Sequence, residues 1–217
     1  LYSAGKSLAD YYKADVVVTK SEQGVSIFKP KGKSLDVPTK SVTVVDVSGA
    51  GDTFIAAQGL ALIAGFKIEE ASFIGAMAGT IAVQKPGTST VTLEELESAT
   101  RDNNNVEAVD VVSKLWGYEK WLENNDKYCC KLLSLNKGYQ CSLHYHKDKD
   151  EMFVVTKGHV RLELEDKVVH MRAGNFMRIT PGSKHRFTGI EDSIIIEVST
   201  HHEESDSYRI ENAKKVE

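Results

Sequence analysis

The chain has 217 residues, long for one ordinary domain and comfortable for two of about 100 each. Hydrophobic residues make up 41% and charged residues 27%, which excludes a disordered or low-complexity protein. A net charge of −4 leaves no basic field for nucleic acid or an anionic membrane, and no apolar run approaches the roughly 20 residues of a membrane helix.

The opening LYSAGKSLADYYKADVVV has no initiator Met and no charged stretch leading into an apolar core. It reads as the inside of a domain, and the chain is expected to be a fragment of a longer protein. The cysteines are Cys129, Cys130 and Cys141. An odd count without framework spacing, two of them adjacent, points to reduced thiols and a cytoplasmic location.

Along the chain, DVVVT at 15–19 and GVSIFK at 24–29 read as short strands. GDTFIAAQGLALIAGF reads as a helix starting at Asp52 or Thr53 and closed by Gly65. IEEASFIGAMAGTIAVQKPG gives a second helix, stopped by Pro86-Gly87. TLEEL at 92–96, with Thr92 as N-cap and an acidic first turn, opens a third. Strands alternating with helices indicate an α/β unit. RDNNN at 101–105 is the most linker-like stretch, which places a boundary near 105 and two domains at 1–105 and 106–217. Beyond it KLLSLNKG, QCSLHYH, EMFVVTKG, HVRLELED, KVVHMRAG, NFMRITPG, HRFTG and SIIIEVST follow one another with turns between them, the mark of a β-sandwich or barrel.

Gly49, Ala50 and Gly51 precede the first of those helices. Such a turn can leave backbone N–H groups aimed at a phosphate, with Asp52 placed to take a proton from an attacking hydroxyl. It can equally be a glycine-rich turn with Asp as N-cap. VVDVSGAGDTF at 44–54, with VTKSEQGVSIF upstream and KPGTST downstream, resembles the PfkB/ribokinase family of sugar kinases, nearest to the heptose-7-phosphate kinase type. The likeness covers residues 1 to about 100 and implies the C-terminal part of a ribokinase-like fold. It implies Asp52 as general base, and the Gly49, Ala50 and Gly51 amides as an anion hole. Asp46 would arrange the phosphate and cation region, Thr19, Ser21, Glu22 and Gly24 would border the nucleotide, and the cofactors would be ATP and Mg. The part of that family carrying most of the sugar site has no counterpart here, so this chain alone is expected not to phosphorylate sugars at an appreciable rate.

In GYQCSLHYHKDKDEMFVVTKG at 138–158, strand geometry puts His144 and His146 on one face with Gln140 and Ser142, and Cys141 and Tyr145 on the other. A hairpin at KDKD can bring Glu151 beside them. His185, after Pro181-Gly182, is a fourth candidate. Two imidazoles and a carboxylate on neighbouring strands suit Zn, Mn, Fe, Co or Ni; the bland alternative is a solvated strand edge. Gly138, His144, His146, Glu151 and Gly158 match the first cupin motif at every position. Gly174, Gly182 and His185 match the second, which usually has proline where Thr180 stands and often asparagine where Gly189 stands. This resemblance implies an all-β cupin barrel, a double-stranded β-helix or jelly roll, with His144, His146, Glu151 and His185 as ligands of a divalent metal, zinc first.

LWGYEKWLEN before the barrel and PGSKHRFTGIEDSIIIEVST at its end narrow the likeness to the cupin of type II mannose-6-phosphate isomerases, over about residues 114–210. It implies a phosphorylated sugar as substrate and a homodimer, with no nucleic-acid or membrane partner. The alternatives are a non-catalytic sugar-sensing cupin that regulates the kinase, or a cupin dioxygenase or epimerase. Glu163, Glu165 and Glu197 are the candidate proton-transfer bases, each also readable as a solvated strand carboxylate. Arg186 and Lys137 are candidates to meet a phosphate. Trp116 and Trp121 are expected to pack the segment leading into the barrel, and His201 and His202 to be solvated.

Overall fold

The computed structural model describes residues 1–101 and 108–216. The chain divides into two compact units, Leu1–Asp110 and Val111–Glu217. Most of the linker-like stretch, and residue 105 itself, lie outside the described residues.

The first unit has helices and a sheet. Helix α1 (Tyr2–Tyr12) leads into β1 (Val16–Thr19), β2 (Val25–Phe28) and β3 (Ser34–Val37), an antiparallel meander with Val17 opposite Ile27 and Ile27 opposite Leu35. Helices α2 (Ala50–Ile63), α3 (Ile68–Ala82) and α4 (Leu93–Arg101) follow. Val25, Ile27, Val37, Phe54 and Ala76 form the core between sheet and helices. Helix α3 approaches α2 closely because Gly75 has no side chain: a Cβ there would lie 2.9 Å from the Phe54 carbonyl oxygen. Helix α4 starts at the expected capping box, Thr92 Oγ1 accepting from Glu95 N at 3.2 Å and Glu95 Oε2 from Thr92 N at 2.9 Å.

Helix α2 begins two residues earlier than the sequence suggested. Gly49, at φ 76, turns the chain in the left-handed region, so Ala50 and Gly51 are already in the first helical turn. Gly65, at φ 91, follows the far end as expected.

The second unit is all-β. Strand β4 (Val109–Lys114) leads into it; β5 (Gly117–Asn124), β6 (Tyr128–Leu135), β7 (Tyr139–Gln140), β8 (Leu143–Tyr145), β9 (Glu151–Lys157) and β10 (His159–Leu164) come next. They are followed by β11 (Lys167–Arg172), β12 (Phe176–Ile179), β13 (His185–Gly189), β14 (Ser193–Thr200), β15 (Tyr208–Glu211) and β16 (Lys214–Lys215). One sheet runs β5-β6-β14-β9-β12 and the other β11-β10-β13-β7-β16, with β8 pairing to β13 and β15. Late strands inserted between early ones (β14 between β6 and β9, β13 between β10 and β7) give the jelly-roll arrangement.

Alternation fills the space between the sheets: on β14, Ser193, Ile195, Glu197 and Ser199 are buried while their neighbours are not. Leu135, Phe153, Val155, Val160, Leu162, Met171, Ile179, Phe187 and Ile195 form the closed half of this core. Gly158 allows β9 to turn tightly into β10, since at φ 83 a Cβ would fall 2.4 Å from Ser193 Oγ.

The stretch expected to be one strand, 140–146, is broken. Residues 141 and 142 separate β7 from β8, so strict alternation stops there.

Candidate metal centre

The open half of the barrel is a cavity of about 390 Å³, and all four expected ligands line it. His144 on β8 stands directly opposite His185 on β13. His146 follows β8, and its carbonyl accepts from Gly182 N at 2.6 Å, which ties it to the Pro181-Gly182 turn ahead of His185. Glu151 opens β9, paired with Ser199 on β14 and Ile179 on β12. One nitrogen from each of the three imidazoles lies within 4.8 Å of the other two. The Glu151 carboxylate joins them, Oε2 lying 3.2 Å from His185 Nε2 and Oε1 3.6 Å from His146 Nε2. His146, Glu151 and His185 are 4%, 3% and 1% exposed, so the solvated-edge alternative does not describe them.

Each imidazole is held by its other nitrogen. His144 Nδ1 lies 3.0 Å from the Ser142 carbonyl oxygen, His146 Nδ1 2.7 Å from that of Asp206, and His185 Nδ1 3.1 Å from that of Ser183. A carbonyl only accepts, so Nδ1 must carry the proton in all three rings and Nε2 is left as a bare donor of electrons. His185 Nε2 is buried without a hydrogen-bond partner. Burial, with the neighbouring His185 as second cause, brings His144 down to about 4; burial also brings His185 to about 4. Neutral, oriented imidazoles and a carboxylate fit a divalent cation.

The cavity wall holds charge that the sequence did not reveal. Lys149, in the turn before β9, donates from Nζ to Glu151 Oε1 at 2.8 Å and also to Glu197 Oε1. Lys131 on β6 lies 3.7 Å from Glu197 Oε1, and its ammonium sits 3.9 Å from the centre of the Trp121 ring. Burial pushes the Glu197 carboxyl up, but the Lys131 and Lys149 ammoniums outweigh it and hold it at about 2. The same two carboxylates overcome burial and raise Lys149.

Several expectations change here. Glu197 is 5% exposed and faces the cavity, not solvent; three successive isoleucines in SIIIEVST hide its parity. Glu163 is not at the wall and pairs with Arg161 and Arg186, while Glu165 accepts from Lys184 N. Arg186 does reach the wall, its guanidinium engaged by Glu163 and Glu211. Lys137 is not among the lining residues. Both tryptophans line the cavity, and Trp116 is also part of the barrel core. His202 is also at the wall, edge-on to Trp121 and 3.2 Å from Lys131 Nζ, and burial followed by the two lysines lowers it to about 4. Cys141 joins the wall because the chain is irregular between β7 and β8. Away from the cavity, the His159 and His170 rings bond each other at 2.9 Å.

In the first unit a separate cavity of about 450 Å³ gathers Thr19, Ser21, Glu22, Gly24, Ala50 and Gly51. Asp46, Gly49 and Asp52 are not in its lining. Asp46 accepts from Ser48 N at 2.9 Å and Gly87 N at 3.0 Å, which join VVDVSGAGDTF to KPGTST and lower its carboxyl, the Ser48 amide contributing most. The Ala50 amide is not free, since it donates to the Val47 carbonyl oxygen at 3.3 Å. Asp52 is exposed in the first turn of α2.

Residues 2–96 match the pfkB family of carbohydrate kinases, and residues 131–201 match the cupin domain family. The chain joins a PfkB kinase segment to a cupin domain. Among curated proteins, the bifunctional protein HldE of Escherichia fergusonii is 46% identical over 96 residues, covering 44% of this chain and 20% of that protein. HldE of Escherichia coli and of Shigella boydii match with the same identity and coverage. The chain thus spans about a fifth of the length of these relatives.

Solved structures similar to the chain include KdgF from Halomonas sp., at 18% identity and TM-score 0.39, covering 41% of this chain and 81% of that one. An RmlC-like cupin from Shewanella frigidimarina is 16% identical at TM-score 0.41, covering 45% and 87%. A variant of oxalate decarboxylase from Bacillus subtilis is 16% identical at TM-score 0.43, covering 47% and 30%. In the PfkB segment and the cupin alike, the described residues include no helix long and apolar enough to cross a membrane.

Proposed function

We propose that the cupin is a metal-dependent sugar-phosphate isomerase of the mannose-6-phosphate isomerase kind. It would sit in a bifunctional sugar-phosphate protein whose other half uses ATP and Mg. What supports this above all is the set of three imidazoles with Nδ1 committed to carbonyls and Nε2 turned to one point beside Glu151. The PfkB segment adds support for the substrate class, since residues matching a family of carbohydrate kinases lie in the same chain.

His144, His146, His185 and Glu151 would hold a divalent ion, which would supply Lewis acidity toward a sugar carbonyl. Zinc suits the imidazole-rich set, with manganese, iron, cobalt and nickel as alternatives. The protein's own contribution is to exclude water and fix charge. Phe153 packs against His185 and Phe187, with ring centroids 6.0 and 4.9 Å apart, and gives the cavity an apolar floor. Of the three candidate bases only Glu197 lines the cavity, and its two lysines keep it ionised. Its low proton affinity makes it a better fixed charge than a base. In the PfkB segment, the cavity edged by Thr19, Ser21, Glu22, Gly24, Ala50 and Gly51 is the proposed nucleotide site, with Asp52 as the kinase base.

The test is elemental analysis of the purified chain together with a panel of aldose and ketose phosphates. Zinc or manganese with interconversion of one pair supports the isomerase. Iron with oxygen uptake would support a dioxygenase instead, and a tightly bound sugar without turnover a sensing role.

A further inference from the structure

Lys149 is a wall residue whose charged side chain bonds directly to an expected metal ligand. It is 3% exposed, and its ammonium bridges Glu151 Oε1 and Glu197 Oε1. Glu197 is itself fixed: it stands opposite Lys131 in the β6–β14 register, and its Oε1 also accepts from Ser199 Oγ at 3.3 Å. The Lys149 ammonium is therefore held between two strands rather than free to swing. On the carboxylate it touches, the two oxygens differ. Oε1 carries the ammonium at 2.8 Å and lies 3.6 Å from His146 Nε2, while Oε2 faces His185 Nε2 at 3.2 Å and, among the described residues, has no ammonium bonded to it.

We propose that Lys149 is a positioning residue that makes Glu151 a one-oxygen ligand: by occupying Oε1 it leaves Oε2 alone for the ion. This rests on the metal-centre reading above. An oxygen already bonded to an ammonium is a poor donor to a second cation, because the two positive charges repel across it and the lone pair is partly spent. A six-coordinate ion with three imidazoles and a single oxygen keeps roughly two positions open, enough for two oxygens of one substrate. A carboxylate free to bind through both oxygens would close one of them. The paired charges also matter: Lys131 and Lys149 offset Glu197 and Glu151, so a bound ion's charge is not cancelled by the wall and remains available to an anionic or chelating oxygen ligand.

The experiment counts exchangeable water on the ion. Full-length protein loaded with Mn(II) is compared with its Lys149→Met and Lys149→Arg variants by water-proton relaxation, normalised to Mn(II) bound by equilibrium dialysis. The unmodified chain is expected to keep about two inner-sphere waters, and Lys149→Met about one, a roughly twofold fall in the inner-sphere contribution per bound ion. Lys149→Arg is expected to restore the original value, since a guanidinium also donates to Oε1. A merely structural Lys149 would lower the amount of Mn(II) bound but not the water count per ion. If Lys149→Met fails to fold by near-ultraviolet circular dichroism, Lys149→Gln, which removes the charge but keeps a polar side chain and leaves the Lys131–Glu197 pair intact, gives the count. An unchanged water count in the folded variant overturns the role of Lys149 while leaving the metal centre standing. Failure of the unmodified chain to retain Mn(II), Co(II) or Zn(II) overturns the metal centre itself, and this proposal with it.

Discussion

Glu197 and Lys131 face each other across β14 and β6, both buried, with Nζ 3.7 Å from Oε1. Lys149 donates to the same oxygen from the turn before β9. A single carboxylate oxygen thus accepts from one ammonium, with a second 3.7 Å away, inside the barrel beside the centre.

Replacing that carboxylate is expected to be costly. Glu197→Gln removes one full negative charge from between two buried lysines and leaves Lys131 without its ion-pair partner there. Breaking a buried pair by removing one partner costs about 3–5 kcal/mol. Urea unfolding of the full chain should show a loss of that order in the cupin transition, and a loss below about 1 kcal/mol would mean that the pairs are solvated in solution.

Acid should weaken the metal-free cupin in two stages, both with the same sign. His144 and His185 titrate near 4 in the folded protein against an ordinary value of 6.5, so the unfolded chain binds more protons between those limits. Their contribution is complete above about pH 6.5 and is lost as pH falls toward 4. Glu197, held at about 2 against 4.5, adds stability that is complete above pH 4.5 and lost toward pH 2. Melting temperatures of chelator-treated protein should fall steadily from pH 7 to pH 4 and fall further below it. A flat profile between pH 7 and 4 would contradict the buried, neutral state of the two imidazoles.

The cysteines should react slowly. Burial pushes the Cys141 thiol up to about 12, and burial also raises Cys129 and Cys130. The thiolate is the reactive form, so at pH 8 well under a thousandth of Cys141 is ionised. Labelling with iodoacetamide, mapped by mass spectrometry, should find Cys141 protected until denaturant is added.

In the kinase segment Gly75→Ala is expected to separate α2 from α3. The new methyl group would lie 2.9 Å from the Phe54 carbonyl oxygen and 3.0 Å from the Phe54 ring, with backbone on one side that has no room to yield. Overpacking of this kind costs about 1–3 kcal/mol, and thermal unfolding of the first unit should register it with the cupin transition unchanged.

Much of this was legible in the amino-acid sequence. The HxH spacing places two imidazoles on one strand face, the KDKD turn brings Glu151 back beside them, and Pro181-Gly182 sets His185; the four side chains do meet. Thr92 and Glu95 announced α4 by their cap. Helix α1 left no such mark, because the face it buries consists of Tyr2, Gly5 and Ala9, and Gly5 is there to admit the Phe28 ring. No apolar stripe forms when the inward residues are that small.

The charged wall was hidden for a different reason. Lys149 sits in a run of lysines and aspartates that reads as a solvated turn, and only the fold turns that one lysine inward. Trp121 and His202 come from opposite ends of the unit, and the pairing of β5 with β6, and of β6 with β14, is what brings them to the same cavity.

The most direct measurement of the metal centre is the metal content of the purified chain by mass spectrometry, set against His144→Ala, His185→Ala and Asp52→Ala. About one divalent ion per chain is expected in the unmodified protein and in Asp52→Ala, falling at least tenfold in both histidine variants, each of which removes one of three imidazole ligands. Equal metal in all four proteins, or none in the unmodified one, would contradict a cation held by His144, His146, His185 and Glu151.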